Sequence, residues 1–249
     1  MRLNTRWTIV FAIAGVAVMG RAVAAQVPDL PKLHPSYYGS AEADTRSAQF
    51  YLLGMYVGMG GLGWSPYFNI NGYLDHYPIA GAAARSLSAV SPTAGLAYAG
   101  RTDGVSFGAG YAWVHNPDSE APGAEGGNSN GLTASFGAYH NARGSRPMHA
   151  QLLSNYNFGS KYLWARGRAS VPYGRSTAHP ARVGIELVGQ GGGDGALTTN
   201  TLEAGPTLEY AATENLRLTG VVGYKSVGGS ALASRESAAY LKLEFSFSP

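Results

Sequence analysis

The chain has 249 residues, 35 of them glycine and none cysteine, with 13% charged, 11% aromatic and 45% hydrophobic residues. Soluble domains carry about a quarter charged residues and about 7% glycine, so this composition excludes a helical bundle, in which each interior glycine costs about 1 kcal/mol. The apolar content is too high for intrinsic disorder, and no apolar run beyond residue 25 approaches the roughly 18 residues of a helical membrane span; an all-β protein remains.

Arg2 and Arg6 precede an apolar stretch, Trp7–Gly20, followed by small residues at Ala22, Val23, Ala24 and Ala25. This pattern predicts a secretory signal peptide over 1–25, cleaved near 24–25. The leader holds Arg2, Arg6 and Arg21 and no acid, so 15 of the 18 bases remain against 15 acids. The sequence pI near 9.0 is therefore largely a property of the leader, and a nucleic-acid partner loses its electrostatic footing. Without cysteine there is no disulfide framework and no thiolate chemistry. Residues 26–46, with Pro28, Pro31 and Pro35, read as a flexible N-terminal segment or plug.

From residue 47 onward, segments of period-two alternation are separated by Gly, Asn, Asp, Ser and Pro clusters. Eleven strands are predicted, near 48–58, 65–76, 87–100, 104–115, 131–141, 148–158, 161–172, 181–190, 200–211, 215–226 and 238–248. Early in the chain Phe68, Ile70 and Leu74 oppose Asn69, Asn71 and Tyr73, and Val105, Phe107, Tyr111 and Trp113 oppose Ser106, Gly108 and Gly110. The last segment is the clearest: Leu241, Leu243, Phe245 and Phe247 alternate with Tyr240, Lys242, Glu244 and Ser246. In a strand those sets face opposite sides of the sheet.

These strands suit a tilted bilayer crossing of about 9–11 residues better than soluble strands of about 5–6. Aromatic residues cluster near strand ends, as interfacial girdles require. The expectation is a transmembrane, antiparallel, up-and-down β-barrel over 47–249, in the bacterial outer membrane and in contact with its lipid; a soluble sandwich is the alternative. Bacterial single-chain barrels have even strand counts, so about 12 strands are expected, within 10–12. A twelfth would come from a break at Val90-Ser91-Pro92 or from 34–44. With the last strand ending in the periplasm, the loops near 116–130, 190–199 and 227–235 lie outside and 142–147 and 211–214 inside, leaving Tyr173–Ala181 as a long inner connection.

On the inward face of the last five strands the alternation places Arg166, Arg168, Arg182, Arg217, Lys225 and Lys242 with Glu186, Glu203, Glu209 and Glu244. Such charges either pair simply to allow folding, since unpaired buried charge is costly, or line a polar passage. The earlier strands present Ser106, Gly108, Gly110, Thr133 and Ser135 inward, which predicts room on that side. Trp164, Tyr139 and Tyr240 are lumenal aromatics that either stack on sugar rings or simply fill space.

The six histidines show no metal-ligand spacing, and no cofactor motif or GxSxG is present. Catalytic and metal residues are therefore not expected. The rivals to a channel are a structural or interaction barrel without conductance and, sharper, a lipid-modifying enzyme using His140 with Ser135 or Ser154.

Asn155-Tyr156, then Tyr162 to Arg168, Val183 to Glu186, Leu202 to Gly205 and Leu218 to Tyr224 follow an order that resembles the cellulose-biosynthesis protein BcsS family of Gram-negative outer membranes. The resemblance covers 150–249, with Gly184-Ile185-Glu186 in place of Gly-Pro-Glu. It implies a non-enzymatic porin-like channel or accessory barrel tied to exopolysaccharide production or export. Polysaccharide or secretion-complex components would be its partners.

Overall fold

The computed structural model describes residues 33–79, 82–115, 130–142, 147–174, 179–193, 198–229 and 234–249. They form twelve strands: β1 (Leu33–Asp44), β2 (Gln49–Met59), β3 (Gly63–Ile79), β4 (Ala82–Ala99), β5 (Asp103–His115), β6 (Gly131–Ala142), β7 (Met148–Asn157), β8 (Tyr162–Tyr173), β9 (Ala181–Gly193), β10 (Thr198–Ala211), β11 (Leu216–Gly228) and β12 (Glu236–Phe247). Each pairs antiparallel with its sequence neighbours. The barrel closes where β1 meets β12, from Tyr37 opposite Phe247 to Asp44 opposite Tyr240. The expected all-β up-and-down architecture is observed, with twelve strands.

The twelfth strand corrects the reading of 26–46. Residues 33–44 are the first strand, paired along nearly their whole length with β2 and β12. Prolines tolerate this place because Pro35 sits near a strand start, where a missing donor costs little. The expected signal peptide and residues 26–32 lie outside the described residues, as do most of 116–130 and parts of the other loops. No break occurs at Val90-Ser91-Pro92. β4 runs through it, while its ladder to β5 lapses at 91–92 and resumes in the same register from Thr93 opposite Gly110. Pro92 has no N–H to give that ladder.

Tight turns hold several hairpins. Asp44 Oδ1 accepts from the backbone N–H of Arg46 at 2.8 Å and of Ala48 at 3.0 Å, letting Ser47 take a left-handed φ of 71°. Between β2 and β3, Gly61 and Gly63 take φ of 118° and 101°, which only glycine adopts without strain.

The outer face carries an exposed apolar belt. Leu241 and Leu243 on β12, Leu218 and Val222 on β11, Leu202 and Leu208 on β10, Ile185 and Leu187 on β9 and Phe107 on β5 are all exposed. A soluble protein rarely leaves so much contiguous apolar surface in water. Rings cap the belt at both ends. Near the chain termini Tyr37 stacks with Phe247 at 6.4 Å and Trp64 meets Tyr98 at 5.5 Å. At the opposite, loop end Tyr111 meets Trp113 at 5.0 Å and Tyr156 meets Phe158 at 4.9 Å. An apolar band between two aromatic girdles is the outer surface of a membrane barrel.

Inside, glycine serves tyrosine. A Cβ at Gly54 would overlap the ring of Tyr38, and one at Gly104 the ring of Tyr139. Tyr240 likewise occupies the space above Gly223, 2.7 Å from where a Cβ would stand. Rings laid flat on glycine let large side chains fill a narrow barrel.

Candidate functional site

The lumen is divided by charge. Arg166 and Arg168 on β8, Glu186 on β9, Lys225 on β11 and Lys242 and Glu244 on β12 alternate with the outward apolar residues and meet inside the wall. Arg166 Nη1 donates to Glu244 Oε1 at 2.8 Å, and Arg168 Nη2 to Glu244 Oε2 at 2.7 Å. Three strands separate β8 from β12 along the wall, so these contacts cross the interior. Arg168 also grips Glu186 through Nε at 3.0 Å and through Nη2, and Glu186 is held in turn by Lys242.

From Lys242 the series continues through Glu42 at 3.9 Å to Lys225, whose Nζ donates to Glu42 at 2.8 Å and pairs with Asp44 at 2.9 Å. Arg46 then joins Asp44 at 3.0 Å to Glu236 at 2.9 Å, locking the β1–β12 seam at the loop end. The order Arg166, Glu244, Arg168, Glu186, Lys242, Glu42, Lys225, Asp44, Arg46, Glu236 alternates in sign at every step. Each carboxylate but the last sits between two cations, which is what makes burial of so many charges tolerable. Glu186 has no exposed surface, and Arg168, Lys225, Lys242 and Glu42 are buried.

Aromatic rings cover the cations. Tyr240 lies 5.8 Å from Lys242 Nζ and 6.0 Å from Lys225 Nζ, and Trp164 lies 5.8 Å from the Arg166 guanidinium. The positively charged faces of the series are thus shielded by π surface.

Of the ten charged residues singled out in the sequence, six stand in this series. Arg182, Glu203, Glu209 and Arg217 do not; among the described residues none of the four has an ion-pair partner within 4 Å. Glu203 is buried opposite Lys225 in the β10–β11 register. Arg182, Glu209 and Arg217 gather near the terminal end, where Arg182 Nε donates to Ser170 at 3.2 Å. The sequence reading missed Glu42, Asp44, Arg46 and Glu236. Tyr38, Ser40, Glu42 and Asp44 alternate with Tyr37, Gly39, Ala41 and Ala43, and that signal was hidden beside a proline-rich lead.

The other half of the lumen carries little charge, with Asp75 on the inward face of β3 beside Tyr73, and the room expected there is filled. Ala89, Ala112 and Val114 form a small apolar cluster covered by Tyr73 and Leu87. Thr93 and Thr133 are buried. Nearer the terminal end Tyr67 stacks on Tyr56 at 5.2 Å and reaches Ser135 at 3.3 Å, and Tyr38 donates to Asn69 at 2.8 Å. Ser135 thus faces the lumen with Tyr67, whereas His140, an odd number of residues further along β6, faces outward and pairs with Asp103. Ser154 lies opposite Phe136, away from His140. The hydrolase arrangement considered from sequence is not assembled.

No protein-family model matches the chain, and no curated protein sequence does. Solved structures do. The β domain of the Bordetella autotransporter BrkA matches with a TM-score of 0.51 at 10% identity, over 87% of this chain and 99% of that one. LpxR from Salmonella typhimurium matches with a TM-score of 0.52 at 11% identity, over 85% and 99%. At such identity the likeness is one of fold. Together with the belt and girdles it defines the class: a closed β-barrel of the bacterial outer-membrane type.

Proposed function

We propose that this chain is a non-enzymatic accessory barrel of the outer membrane that serves exopolysaccharide production or export, with a lumen closed by side chains rather than open as a diffusion pore. The end bearing the chain termini and the short turns faces the periplasm, following the usual asymmetry of such barrels. The observation that carries the closed lumen is the buried ion series. Water-filled pores leave their lining charges wet, whereas here Glu186, Arg168 and Lys242 have at most 8% of their surface exposed.

The polysaccharide link rests on the resemblance of 150–249 to the BcsS family. Deleting the gene and measuring surface polysaccharide beside extracted lipids tests this reading. The expected result is reduced polymer with unchanged lipid products, restored by the wild-type chain. Unchanged polymer, or lipid products that change with the deletion, would overturn it.

A further inference from the structure

Buried carboxylate oxygens are nearly always matched to a donor or cation, and among the described residues Glu209 Oε1 has neither. At the terminal end a cavity of about 90 Å³ is lined by Pro172, Pro180, Arg182, Glu209, Tyr210 and Arg217. Glu209 is 96% buried, yet its Oε1 has no hydrogen-bond partner among the described residues. Two guanidiniums share the cavity with it, neither within 4 Å of an acidic partner among the described residues. The cavity exceeds the roughly 10–15 Å³ that one water needs. Its lining draws on residues of both faces of the wall. Arg182, Glu209 and Arg217 belong to the inward set, whereas Tyr210 is exposed on the outer face with His179 stacked on it at 5.9 Å.

A ligand matched to this cavity carries an anionic group for Arg182 and Arg217 and a cationic donor for Glu209, a short distance apart. It also enters from the aromatic girdle on the lipid side. We propose that the cavity is a binding site for the phosphoethanolamine headgroup of a membrane phospholipid in the periplasmic leaflet. The phosphate lies between the two guanidiniums, where charge-assisted hydrogen bonds are strongest. The ammonium supplies the donor that Glu209 Oε1 lacks, and the acyl chains run along Tyr210 into the bilayer. This rests on the outer-membrane reading above.

Native mass spectrometry of the full mature chain in detergent tests it, with dioleoyl-phosphatidylethanolamine, dioleoyl-phosphatidylglycerol and soluble glycerophosphoethanolamine offered separately. The ethanolamine lipid is expected to be retained about tenfold better than the glycerol lipid, the scale of one charge-assisted hydrogen bond. R217A, at an exposed position, should lower retention of both lipids. E209Q should abolish the preference between them, because it removes the charge that the ammonium meets. Equal retention of the two lipids by the wild type, or retention unaffected by R217A, would overturn the proposal. Retention of the soluble compound as strong as that of the lipid would overturn the assignment to a membrane lipid. Heat-modifiable mobility on gels, measured on each sample, separates the two readings. A sample that keeps its shift but shows no headgroup selectivity refutes this site alone, whereas a wild type without a shift refutes the barrel.

Discussion

Glu186 illustrates how single residues are held in this barrel. It has no exposed surface and meets Arg168 and Lys242, while Arg168 also serves Glu244. Removing Arg168 takes one of two cations from both Glu186 and Glu244 and leaves the buried series one positive charge short, at a cost of about 3–5 kcal/mol. Arg168→Ala is therefore expected to lower the unfolding free energy by that amount, read by urea denaturation of the lipid-reconstituted chain; a loss below about 1 kcal/mol would place Arg168 in water. Gly104 makes a second case. A β-branched side chain there must displace the Tyr139 ring, so Gly104→Val is expected to cost about 1–3 kcal/mol, as overpacking does, in the same measurement. Alternation along β12 shows in the sequence that Lys242 and Glu244 share a face. Which acid meets which base was not legible, because Arg166 and Glu244 stand 78 residues apart and join strands that are not neighbours.

At the scale of the element, β1 carries the most consequence. It supplies Glu42 and Asp44 to the ion series, and its register with β12 closes the barrel. Deleting 33–44 is expected to leave an open sheet with two unpaired edges, seen as loss of heat-modifiable mobility and gain of protease sensitivity; a retained shift would show that closure does not need this strand. The sequence displayed β1 only weakly, since prolines beside a strand and an unstructured lead look alike without knowledge of its pairing partners. β4 was legible from 87 onward, and of the two sources considered for a twelfth strand the break at Val90-Ser91-Pro92 does not occur: in a long strand the barrel needs only to forgo the ladder bonds beside Pro92. The remaining strands were visible because one face must be apolar for lipid and the other polar, which writes a period of two directly into the sequence.

Over the whole molecule, the low charge and high glycine content have a common cause. The outer face must be apolar, so most strand charges lie inside, where six of the ten singled out in the sequence join one paired series. Glycines clear the space that lumenal tyrosines occupy. Because the ion series is buried, it is screened little by salt, and stability is expected to change by less than about 0.5 kcal/mol between about 0.05 and about 0.5 M NaCl. A larger fall would mean that salt reaches the lumen.

Conductance across a planar bilayer tests the closed lumen most directly. The wild-type chain is expected to insert without opening steady channels. Removing Glu186 and Lys242 together, as Glu186→Ala with Lys242→Ala, leaves Arg168 paired with Glu244 and Lys225 with Glu42, and is expected to produce a stable ohmic conductance in chains that keep their heat-modifiable shift. Steady wild-type channels of similar size to those of the double variant would contradict a lumen closed by the ion series.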